Sequence, residues 1–87
     1  MNRNQVLSQL KEASEALDEM IKSIESTADY DYGDYWVDMQ HVYHHLNTAW
    51  NSRDESEERI SKATDVDFNR WSALPNDLPM MEVRATA

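Results

Sequence analysis

Residues 4–27 read NQVLSQLKEASEALDEMIKSIEST, and this stretch decides the fold class. Its apolar residues Val6, Leu10, Ala13, Leu17, Met20 and Ile24 are separated by 4, 3, 4, 3 and 4 positions, with Leu7 and Ile21 beside them. An α-helix turns once per about 3.6 residues, so this rhythm gathers the side chains into one stripe suited to packing on other helices. Glu12, Glu15, Asp18, Glu19 and Lys22 fall on the other side, and no proline or glycine interrupts the run. Asn2 or Asn4 can cap its start. The spacing predicts a helix over 4–27.

Working outward, residues 28–33 hold Asp29, Asp31 and Gly33 and read as a turn. Asp34 is the expected N-cap of a second helix over 34–52. There Tyr35, Trp36, Met39, Val42, Tyr43, Leu46, Ala49 and Trp50 again recur at three- and four-residue steps, with Trp36 near the middle of the stripe. Asp34, Asp38, His41 and His45 fall on the opposite side. Two such helices joined by a short turn make an αα-hairpin. Ser52 and Glu55 have capping-box spacing for a short helix over 54–63. Thr64 and Asp65 introduce another over 65–74, whose bulk is Val66, Phe68, Trp71 and Leu74. Pro75 and Pro79 end regular structure, so 75–87 is expected to be an extended or disordered tail.

The fold class is therefore all-α: one helical domain over 1–74, a long hairpin with a short C-terminal helical element. The third segment has few apolar residues and cannot cover both long stripes. Self-association into a homodimer with an antiparallel four-helix arrangement is the expected way to cover the rest.

Composition excludes more than it assigns. The 87 residues hold no cysteine, which removes disulfides, thiol nucleophiles and Cys-ligated metals. One glycine leaves no phosphate-cradling loop. A net charge of −9 opposes direct binding to nucleic acid or to an anionic membrane, both of which need a basic patch. No apolar run reaches the roughly 18–20 residues of a membrane span. The N-terminal residues Met-Asn-Arg-Asn-Gln have no apolar core of a signal peptide, so the expected location is cytoplasmic.

Three constellations could carry chemistry. His41 and His45 have the i, i+4 spacing that lets two imidazoles share a metal, and Asp38 lies one turn earlier. The carboxylates of the first helix point away from that face, so Asp38, His41 and His45 stand as a weak metal alternative and no cofactor is expected. Asp29, Asp31, Gly33 and Asp34 resemble a calcium loop in composition only. Counting from Asp29, the glycine comes one position early and Gln40 occupies the place of the bidentate glutamate. No serine sits in a nucleophile elbow, and nothing marks an oxyanion hole, so no catalytic residue and no enzymatic activity are expected.

The third constellation is an acidic–aromatic surface. No lysine or arginine occurs between Lys22 and Arg53, while Glu25, Asp29, Asp31, Asp34 and Asp38 all lie there, interleaved with Tyr30, Tyr32, Tyr35 and Trp36. Tyrosine and tryptophan anchor protein interfaces, and a negative field steers a basic partner. The expected function is that of a small acidic regulator or adaptor that binds another protein with a basic surface through Tyr30, Asp31, Tyr32, Asp34, Tyr35 and Asp38. The alternative is a nucleic-acid mimic, of the type phages and mobile elements use, inhibiting a nuclease or DNA-binding protein with a row of carboxylates.

Overall fold

A computed structural model describes residues 1–82 of the chain. It is all-α, with no strand among the described residues: α1 (Arg3–Ser26), α2 (Tyr32–Asn51), α3 (Glu57–Ser61) and α4 (Asp65–Ser72). Helices α1 and α2 form the long hairpin, and α4 packs on α2. Residues 73–82 carry no helix, and the part of the expected tail over 83–87 lies outside the described residues.

The helix ends follow side-chain chemistry. Asn2 caps α1 by accepting from the Gln5 N–H at 3.0 Å. Its own amide donates to the Glu55 carbonyl at 2.9 Å, which ties the start of the chain to the segment after α2. The second helix begins two residues earlier than the sequence suggests. Asp31, not Asp34, is the N-cap, and the two carboxylates form a reciprocal capping box, because Asp34 at the third helical position reaches back to the Asp31 N–H. Gly33 accordingly sits inside the first turn of α2 with an ordinary negative φ.

Ser52 is also reassigned. It is the C-cap of α2, fully buried, and donates to the Thr48 carbonyl at 2.6 Å, so it starts no new helix. Ser56 caps α3, which covers only part of the expected 54–63. Thr64 caps α4 through a capping box with Asp67, as the acidic spacing there allows.

The seam between α1 and α2 is small and partly polar. Ala16 and Met20 of α1 meet Val42 of α2, with Tyr30 and Met39 packed against them, and Ala13 and Ala49 are buried as well. Gln5 donates to Ser52 at 3.1 Å, Gln9 pairs with His45 at 2.9 Å, and the Tyr30 hydroxyl donates to Asp38 at 2.8 Å. The expected stripe of α1 is thus corrected: Leu10, Leu17 and Ile24 do not enter this seam, and with Leu7 and Ile21 they remain 44–53% exposed.

Helix α4 is held from α2. The Asn47 amide donates to the Ser72 carbonyl at 2.9 Å, and that of Asn51 to the Trp71 and Ala73 carbonyls at 2.8 Å each. These are the carbonyls that a helix C-terminus leaves without partners. Between the two helices Trp71 is the most buried aromatic ring, with Phe68 edge-on to it at 6.0 Å. Asp67 pairs with Arg59 and Arg70 beside it, and the Arg59 guanidinium together with the Thr64 N–H holds its carboxyl well below the usual range.

Candidate functional site

The acidic–aromatic end is built from the turn and the first two turns of α2. A capping box of two aspartates fixes the start of that helix, and the residues just inside it are exposed. Tyr32, the first helical residue, is 79% exposed, and Trp36, one turn later, is 59% exposed. Trp36 lies on the side of α2 turned away from α1, which corrects the expectation that it fills the middle of the buried stripe.

Not all the expected contact residues are available. Tyr30 is half-buried against the hairpin core, and its hydroxyl is engaged by Asp38, which is half-buried in turn. Burial and that carboxylate push the phenol up to about 12. Tyr30 and Asp38 therefore form a strut that closes the turn end. Asp31 and Asp34 are exposed and cap α2. Tyr35 is half-exposed, on the flank of α2 that leads toward the leucines of α1.

Beside Trp36 the structure forms a groove of about 720 Å³, walled by Tyr32, Trp36, Met39 and Tyr43 of α2 and by Ser72 and Leu74 from the far end of α4. Asn47 and His44 give it a polar end. The second wall comes from residues 29 to 42 positions downstream of the first. No local pattern announces it.

The histidine face resolves differently. His45 points toward α1 and bonds to Gln9, while His41 and His44 are exposed with ring centroids 5.1 and 5.0 Å from that of His45. Asp38 is occupied by Tyr30. Among the described residues no three His, Asp or Glu side chains converge as metal ligands. Burial against α1, then the neighbouring His44 and His41, push the His45 imidazole below its ordinary 6.5, with Glu12 opposing.

A pH dependence follows. The folded chain takes up the His45 proton later than the unfolded chain does. The contribution of this group to stability is complete above pH 6.5 and is lost as pH falls below that value. An NMR titration of the ring protons is expected to give His45 a midpoint under 6.5, and melting temperatures are expected to fall across the same window. A midpoint at or above 6.5 would show that the His45–Gln9 contact opens in solution.

The groove is lined mainly by aromatic and aliphatic side chains and can hold an apolar side chain. Among the described residues no helix is long and apolar enough to cross a membrane. No family model matches the chain, and no characterised protein or solved structure is significantly similar to it.

Proposed function

We propose that this chain is a small non-enzymatic regulator or adaptor that binds another protein through the acidic–aromatic end of its hairpin. The exposure of Trp36 beside an apolar groove carries the reading. A tryptophan is among the costliest side chains to leave in water and among the commonest interface anchors, and here it stands next to an exposed Tyr32. Asp29, Asp31 and Asp34 surround that end and no lysine or arginine lies between Lys22 and Arg53, so the complementary surface is basic with an apolar side chain at its centre.

The test exploits the small contribution of these rings to folding. Removing a side chain more than half in water costs on the order of 1 kcal/mol or less, so the variant Tyr32→Ala/Trp36→Ala is expected to keep its melting temperature within a few degrees. Immobilised wild-type protein and a Glu15→Ala control, altered on the outer face of α1, are expected to retain the same protein from a source lysate. The double variant is expected to lose it, and retention is expected to weaken as salt rises. Equal retention by all three would place the interface elsewhere.

A further inference from the structure

The two flanks of the hairpin differ in chemistry. One carries Glu12, the Gln5–Ser52 and Gln9–His45 pairs, and His41. The other carries Leu7, Leu10, Leu17, Ile21 and Ile24 from α1, all half-exposed, and continues onto Tyr35 and Leu46 of α2. These seven residues leave together roughly 600 Å² in water, at the upper end of the largest apolar patches of monomers and approaching the ~800 Å² per partner of a standard interface.

We propose that this apolar flank is covered by the same flank of a second copy of the chain, packed antiparallel so that the two α1 helices cross between Ser14 and Leu17. Three observations select this occupant. The α1 residues on the flank fall at positions 7, 10, 14, 17, 21 and 24, alternating three and four, which is the seam pattern of one helix packed along another. The pattern reads the same in either direction about the point midway between Ser14 and Leu17, so Leu7 meets the second copy's Ile24, Leu10 meets its Ile21 and Ser14 meets its Leu17, as a two-fold interface requires. Charge sets the direction. Arg3 and Glu25 stand at opposite ends of the stripe, and neither makes an ion pair among the described residues. The antiparallel arrangement brings each beside its opposite, whereas a parallel one stacks the two acidic turns.

This flank borders the partner groove at Tyr35, which lines both, while Tyr32, Trp36 and Leu74 belong to the groove alone. If both hold, the dimer carries its two acidic–aromatic ends at opposite poles and binds partners two at a time.

The chain has no cysteine, so a single introduced thiol can form a disulfide only between copies. Ser14→Cys under mild oxidation is expected to give a covalent dimer, while Ser8→Cys, on the charged side of α1, stays single. Sedimentation equilibrium at roughly 100 µM, above the micromolar-to-picomolar range of interfaces this size, is expected to give twice the 10.2 kDa chain mass. Leu17→Asp is expected to return it to one chain mass with its helicity retained. A wild-type mass of one chain at that concentration overturns the proposal. So does a Ser14→Cys disulfide that forms no faster than that of Ser8→Cys.

Discussion

Trp71→Ala is expected to lower the melting temperature by roughly 15–30 °C, since each kcal/mol shifts a domain of this size by about 4–8 °C and truncating a core tryptophan costs roughly 3–5 kcal/mol. The ring is 2% exposed, and it is the one large side chain that fixes α4 to α2. It also lies beneath two guanidinium groups, with Arg59 and Arg70 each 5.8 Å from its centroid. Helix α4 has eight residues and α3 has five, and helices that short do not persist in water without tertiary packing. Losing the ring therefore releases both, and with them the acceptors that satisfy Asn47 and Asn51. An 87-residue chain is stable by only about 4–13 kcal/mol, so the change removes a large share of the total. Thermal melts followed by near- and far-ultraviolet circular dichroism check it. Trp71→Phe, which keeps most of the apolar volume, is expected to recover much of the loss. A fall of only a few degrees for Trp71→Ala would mean that α4 contributes little to the fold.

The same element shows what a sequence of this kind reveals and what it conceals. Thr64 with Asp65, the bulk of Phe68 and Trp71, and the stop at Pro75 are all local signals, and they place α4 within two residues of its observed end. What α4 packs on depends on Asn47 and Asn51, 25 and 20 residues upstream, and no periodicity links them. Helix α1 shows the limit most clearly. Three-and-four spacing establishes that the helix is amphipathic, yet its apolar residues span more than one arc of the surface, and the period does not say which arc faces α2. Polar pairs decide that: Gln5 with Ser52 and Gln9 with His45, 47 and 36 residues apart, turn the small residues inward and leave the leucines at the edge.

At the candidate site the legible part was likewise local. The acidic bias and the run of aromatics mark the end of the hairpin correctly as a place where rings are exposed. Tyr32 is exposed, as a ring so near the turn is expected to be, and the reading failed on Trp36. Helical angle places Trp36 in the stripe, but the stripe of α2 is wider than α1 can cover, so its far edge opens into the groove beside Leu74. Tyr30, which precedes the helix and looks unconstrained, is held because Asp38 lies close enough to accept its hydroxyl.

The difference between the two arcs of α1 makes a reversal measurable. If the leucine stripe were the hairpin seam, Leu17→Ala would create a core cavity at a cost of roughly 2–5 kcal/mol, and Ala16→Leu would add surface bulk at little cost. The structure requires the opposite order in the single chain. Ala16 is buried where the two backbones approach, beside Met20 and Val42, so a leucine there must displace α2 or adopt a strained rotamer, at roughly 1–3 kcal/mol. Leu17 is 44% exposed, and trimming it in the isolated chain forfeits only about 1 kcal/mol of burial. Urea unfolding at low protein concentration is expected to rank Ala16→Leu as the more damaging change. Raising the concentration then separates folding from association. Binding a second copy stabilises the folded chain by mass action. The cost of Leu17→Ala is therefore expected to grow with protein concentration, while that of Ala16→Leu, paid within each hairpin, stays nearly constant.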